Sequence, residues 1–132
     1  MEVRYINKDE LRNWWPWVRK GLDKVLEKTP ESWIPEDLYC DCYENRSMLW
    51  AALEYNRPIG FFVIQPNQTN VHVWVAYLEK PNLQHLQEGF EHIKGIARNG
   101  GCQTVTFSSF RKGWSKRARE LGFSERTWIC EV

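Results

Sequence analysis

The stretch from Asn70 to Ser109 constrains the chain most. Asn70–Leu78 is apolar and rich in Val and aromatic residues, which marks a strand. After the loop at Pro81, Leu86, Phe90, Ile93 and Ala97 recur at a 3.6-residue spacing, the signature of an amphipathic helix. That helix is expected to stop at Asn99-Gly100-Gly101, where glycine can take the left-handed conformation of a helix end. Thr104–Ser108 then supplies a second strand. A strand, a helix and a strand of these lengths form a right-handed crossover that leaves the two strands parallel. Ligands of such units bind at the strand ends.

The rest of the chain arranges itself around that unit. A short first strand is expected around Val3 and Tyr5. Asn7 and Glu10 have the spacing of a capping box, which starts a helix at about Lys8. Leu11, Trp14, Trp15, Val18, Leu22 and Val25 give that helix one broad apolar face, with a kink or restart expected at Pro16 and Gly21. Periodicity turns Trp14 and Trp15 toward the core and leaves Trp17, Trp33 and Trp114 unassigned. Thr29-Pro30-Glu31-Ser32 reads as a turn. A second, short helix opens at Ile34-Pro35-Glu36-Asp37, with Pro at its first position and acids in its first turn. Ser47–Tyr55, Ile59–Gln65 and Asn70–Leu78 form an antiparallel meander joined by tight turns. The third of these strands alternates Val71, Val73, Val75 and Tyr77 against His72, Trp74, Ala76 and Leu78, so it is apolar on both faces and is expected at the sheet centre. Lys112–Leu121 reads as a basic final helix and Phe123–Val132 as a last strand. The order is β-α-α-β-β-β-α-β-α-β, an α/β (α+β) fold with about six strands and about four helices in one domain spanning residues 1–132.

Composition narrows the function. A net charge of +1 gives no global reason to bind nucleic acid or an anionic membrane. No run approaches the roughly 18 apolar residues that span a bilayer. With no apolar signal core at the N-terminus, a cytoplasmic protein is expected. Cys40, Cys42, Cys102 and Cys130 lack framework spacing and read as reduced thiols, and no metal site is expected from Cys40-Asp41-Cys42. His85, Glu88 and His92 share a helical side as neighbours on a solvated face. Arg111, Lys112, Lys116, Arg117 and Arg119 make a basic face whose alternative reading is contact with phosphates.

The element order, together with Pro58-Ile59-Gly60-Phe61-Phe62, Val73-Trp74-Val75, Ala97-Arg98-Asn99-Gly100-Gly101-Cys102 and Glu120-Leu121-Gly122-Phe123, resembles the GNAT N-acetyltransferase superfamily across most of the chain. Cys102–Phe123, with Arg111-Lys112-Gly113-Trp114, also resembles short GNAT-like proteins encoded by phages. The resemblance implies a three-layer fold with a mixed, mostly antiparallel sheet. It also implies that Val73, Trp74 and Val75 face the pantetheine arm of acetyl-CoA, and that the turn after them wraps the pyrophosphate.

Two positions depart from the family pattern. The Arg/Gln-x-x-Gly-x-Gly/Ala loop falls on Pro81–Leu86, where the glycine positions are held by Leu83 and His85 or by Gln84 and Leu86. The Tyr that protonates the leaving thiolate in many members is Ala118, and the family's preceding Asn and Ala fall on Arg111 and Trp114. A methyl group cannot donate a proton. Glu79, His72 and Glu54 are candidate bases by residue type, and Tyr77 and Tyr55 candidate substitutes for the acid. The expectation is therefore a non-catalytic or degenerate GNAT-fold protein working through a protein partner or self-association; the phage resemblance implies a phage origin and a place in host cytoplasm or virion. The alternative is an acetyl-CoA-dependent N-acyltransferase acting on a protein or small amine.

Overall fold

The computed structural model describes residues 1–108, 114–126 and 130–132. The elements are β1 (Glu2–Ile6), α1 (Leu11–Lys28), α2 (Pro35–Tyr43), β2 (Met48–Glu54), β3 (Arg57–Pro66), β4 (Asn70–Leu78), α3 (Leu83–Asn99), β5 (Thr104–Phe107) and α4 (Trp114–Glu120). The strands lie in the order β1-β2-β3-β4-β5. The first four are antiparallel, and β5 pairs parallel to β4 as the crossover requires. Five strands are seen among the described residues, against about six expected. Phe123–Arg126 are not in a strand, and residues 127–129 of the expected last strand lie outside the described residues.

Each face of the sheet carries its own core. Leu11, Val18 and Leu22 of α1 and Leu38 of α2 bury against Leu49, Ala51, Phe61 and Val63. Phe90, Ile93 and Ala97 of α3, with Leu121 after α4, bury against Phe62, Ile64, Val71 and Val73 on the opposite face. The alternation of β3 supplies both layers, because neighbouring Phe61 and Phe62 point to opposite sides. Burying a large apolar side chain stabilises a fold by about 1.5–3 kcal/mol, so these two layers carry the stability.

Local chemistry sets the element ends. The side chain of Asn7 accepts from the N–H groups of Asp9 at 2.9 Å and Glu10 at 3.0 Å, whereas Glu10 turns to Arg4 at 2.5 Å. Only half of the expected capping box forms, and regular helix starts at Leu11 rather than Lys8. Nor does α1 restart at Pro16 or Gly21; it is one helix from Leu11 to Lys28. Gly21 serves close packing instead, since a Cβ there would lie 2.5 Å from the Phe61 ring and 2.9 Å from Tyr77. At the far end of α3, Gly101 takes φ +76° as the sequence predicts, and Cys102 N–H closes on Ala97 O at 2.8 Å.

Two bulges break the meander. Ile59 is the extra residue of β3 opposite β2, where the pairing passes from Ala52–Gly60 to Leu53–Pro58. Trp74 is the extra residue of β4, where it passes from Val63–Val75 to Ile64–Val73. The expected simple alternation of β4 therefore fails at Trp74. Val71 and Val73 face α3, and Val75 and Tyr77 face α1. A bulge inserts one residue and re-aims the side chains that follow it.

Candidate functional site

Beyond that bulge, β4 loses its second neighbour. Its pairing with β5 covers Asn70–Thr104 to Val73–Phe107 and ends there. Among the described residues, Val75–Leu78 is paired only with β3, and its other edge borders a cleft of about 480 Å³. The cleft reaches both faces of the sheet. Val25, Thr29, Trp33 and Tyr77 line it on the α1 side, and Leu86, Phe90 and Ile93 line it on the α3 side. Phe107, Ser108, Trp114 and Arg117 form the wall opposite β4. A strand edge with free backbone donors and acceptors can bind an extended ligand as an added strand would.

The structure sorts the candidate bases. Glu79, just past β4, lines the cleft, and its Oε1 accepts from Trp17 Nε1–H at 3.0 Å. That bond orients the carboxylate; its second oxygen has no hydrogen bond among the described residues. His72 lies in the paired half of β4, where its Nδ1 meets Thr106 Oγ1 at 2.9 Å, and it does not border the cleft. Burial holds the His72 pKa below its usual value. Glu54 is outside the cleft wall but bonds His85 Nε2 at 2.7 Å, and His85 does line the cleft. Of the two tyrosines, Tyr77 lines the cleft, while Tyr55 is exposed in the β2–β3 turn at φ +53°.

Leu83, Gln84, His85 and Leu86 form the first turn of α3. Leu83 and Gln84 are exposed, while His85 and Leu86 are half-buried. Asn82 caps the helix, its Oδ1 accepting His85 N–H at 2.8 Å. Its amide nitrogen then faces His85 Nδ1 at 2.9 Å, so Nδ1 accepts and Nε2–H donates to Glu54. The side chain and N–H of His85 are thus both engaged. Glu88 and His92 look elsewhere, to the amine of Met1 at 3.3 Å and the carbonyl of Met1 at 3.2 Å. The sequence-marked trio does not converge on one point. Nor do the paired thiols: Cys40 is exposed, and Cys42 is buried with its pKa pushed up to about 12 by burial. On α4, Arg117 reaches the cleft; Arg111 and Lys112 lie outside the described residues.

Sequence reasoning passed over Thr29 as a turn residue. It is 7% exposed and lines the cleft, and its buried hydroxyl has no hydrogen-bond partner among the described residues. A Thr that ends an apolar helical face is the only sequence signal for it, and a weak one.

No protein-family model and no curated protein matches the sequence. Solved structures do match the fold. A probable acetyltransferase superimposes with a TM-score of 0.74 at 17% identity, covering 100% of this chain and 98% of that one. A predicted acetyltransferase from Clostridium acetobutylicum, crystallised with acetyl-CoA, gives 0.70 at 13% identity over 99% of this chain and 94% of that one. A ribosomal-protein-alanine N-acetyltransferase from Brucella melitensis biovar Abortus 2308 gives 0.68 at 11% identity, covering 100% and 98%. The chain has the GNAT fold. Among the described residues, no helix is long and apolar enough to cross a membrane.

Proposed function

We propose that this chain is an acyl-CoA-dependent N-acyltransferase that binds its donor along the free edge of β4. The observation that carries this reading is the parting of β4 from β5 after Val73–Phe107, which leaves an open cleft through the sheet instead of a filled seam. The acetyl-CoA found with one structural neighbour supports the choice of donor.

The residues fit the two ends of such a donor unequally. Trp74–Leu78 offers backbone N–H and C=O groups to an amide-bearing pantetheine arm, with Val73, Trp74 and Val75 in the wall. The start of α3 does not fit a glycine-type pyrophosphate loop. Leu83 and His85, or Gln84 and Leu86, carry side chains where close backbone approach is needed, and Asn82 already uses the His85 N–H. The leading basic residue of the loop is also missing, and Arg117 is the cation that borders the cleft on the α4 side.

Acetyl-CoA, when bound, supplies an acyl group activated as a thioester. Glu79 then has the position and free oxygen to take the proton of an acceptor amine as its C–N bond forms and the thioester C–S bond breaks. Ala118 offers the departing thiolate no proton, so that proton comes from solvent or from Tyr77, which lines the cleft. A second reading, a binding protein without turnover, is favoured by Ala118 and by the occupied start of α3. Tryptophan exposure adds nothing to it, since the seven described Trp residues are all buried or half-buried.

Thermal denaturation with acetyl-CoA tests the proposal. A ligand present at about a hundred times its Kd should add about 2.7 kcal/mol of stability. Micromolar to millimolar acetyl-CoA should raise the melting temperature and acetylate a small amine. No shift at millimolar acetyl-CoA rejects the acyl-CoA reading, and a shift without transfer to any amine favours the binding-only reading. Glu79→Gln should preserve the shift and remove most of the transfer.

A further inference from the structure

We infer that the cleft accepts its acyl group from the pantetheine arm of an acidic carrier protein, and that the exposed basic face of α4 is the surface on which that protein docks. This rests on the acyltransferase reading above and adds the donor's carrier. The two ends of a CoA donor make different demands, and the residues present meet only the first. Val75–Leu78 leaves one backbone edge free for an extended, amide-bearing arm. An arm laid there brings its phosphate end past Leu78, beside Pro81 and His85. At that end CoA carries a pyrophosphate and a ribose phosphate. The first turn of α3 has its His85 N–H taken by Asn82, and the Glu54 carboxylate is bonded to the His85 ring. An arm borne on a serine ends instead in a single phosphodiester, and the rest of its affinity comes from the protein that carries it. Such a donor has no nucleotide to hold.

Charge decides where the carrier sits. Lys116, Arg117 and Arg119 of α4 are all exposed, and none of them is in an ion pair among the described residues. Against them the helix sets one acid, Glu120. Arg117 also borders the cleft, so the basic face continues into the wall opposite β4. Elsewhere around the cleft the charges cancel: Lys24 and Lys28 stand with Glu27 and Glu31, and Lys80 stands beside Glu79. An acidic protein is therefore steered to α4. Because Trp114 and Leu121 pack against the same core as α3, a carrier seated there leaves the α1 side of the cleft open for the amine. The transfer is unchanged. The amine nitrogen bonds the acyl carbon as the thioester C–S bond breaks, the amine proton passes to Glu79, and the thiol left behind stays on the carrier's arm.

The test is calorimetry at low salt with a bacterial fatty-acid acyl carrier protein, in its holo form with the arm and its apo form without it, and with pantetheine as the arm alone. Wild type should bind the holo form at least about tenfold more tightly than either the apo form or pantetheine, because docking face and arm then act together in one molecule. Lys116→Glu combined with Arg119→Glu should weaken holo-form binding by about tenfold or more and leave pantetheine within about twofold. Raised salt should weaken the holo form on wild type in the same direction. Both residues are exposed, so the melting temperature of the double variant should stay close to that of wild type, which separates lost docking from lost fold. No binding of the holo form, equal binding of holo and apo forms, or undiminished holo-form binding by the double variant overturns the inference. The acyltransferase reading is judged separately, by transfer of an acetyl group to a small amine. Acetyl-CoA that binds and reacts while the carrier does not bind leaves that reading intact and ends this one. Carrier binding that depends on both arm and charge, with no transfer from any donor, keeps the carrier assignment and removes the acyltransferase reading.

Discussion

His72 shows how one residue can be polar, half-buried and outside the chemistry. Thr106 Oγ1 accepts from Asn70 Nδ2 at 3.0 Å, which leaves the Thr106 hydroxyl hydrogen free to donate to His72 Nδ1 at 2.9 Å. Burial disfavours the charged ring and holds its pKa below 6.5. The unfolded chain then binds the proton more readily than the folded chain. Stability is complete above about 6.5 and falls as pH drops from there to the folded pKa, levelling off below it. Urea midpoints between pH 7.5 and about pH 5 should decline for wild type and stay nearly flat for His72→Gln. Equal slopes for the two proteins would mean that His72 is not the titrating group. Thr29 belongs to the same scale. It is buried in the fold, which reading Thr29-Pro30-Glu31-Ser32 locally as a turn does not reveal. Glu79 was readable by type alone, because the Trp17 bond that orients it spans 62 positions.

At the scale of elements, local pattern told most of the story. Helical spacing marked α1 and α3, Pro35 marked the start of α2, and the turn residues separated β2, β3 and β4. What local pattern could not show was the bulge at Trp74. A strand apolar on both faces looks the same whether or not its sides exchange midway, so Val71–Leu78 concealed the switch that gives Val75 and Tyr77 to α1. The start of α3 is the other element on which the proposed donor binding turns. Replacing Asn82 by Ala removes the cap on His85 N–H and should cost about 0.5–2 kcal/mol in urea denaturation. Asn82→Asp keeps an oxygen in that place and favours the helix dipole but gives up the amide donor to His85 Nδ1, so stability should fall less than in Asn82→Ala. Its negative charge should nevertheless weaken acetyl-CoA binding if the donor's phosphates lie there. An Asn82→Asp protein with undiminished acetyl-CoA affinity would move the phosphates away from this turn.

Across the whole molecule, the proposed donor would meet the cleft along β4 with its arm and the turn that opens α3 with its phosphates, and the residues present suit those two ends unequally. The arm-binding part is backbone, the free edge of Trp74–Leu78, and it survives any change of side chain that leaves the strands parted. The phosphate-binding part depends on which residues hold the turn, and Leu83 and His85 are the wrong size for close approach. The Glu54 carboxylate bonded to His85 adds negative charge nearby. A charge-assisted hydrogen bond is worth about 1.5–3 kcal/mol, so each phosphate hydrogen bond that the turn cannot make lowers affinity about tenfold or more. S-Acetylpantetheine, which has the arm and the thioester but no pyrophosphate or nucleotide, should therefore bind within about tenfold of acetyl-CoA. Replacing Arg117, the cation that borders the cleft on the α4 side, by Ala should narrow even that gap. Calorimetry with the two donors decides it. A preference for acetyl-CoA of about a hundredfold or more, the worth of at least two such bonds, would show that a phosphate grip persists without glycine. Near-equal affinities would place donor recognition in the strand edge that the parting of β4 and β5 leaves free.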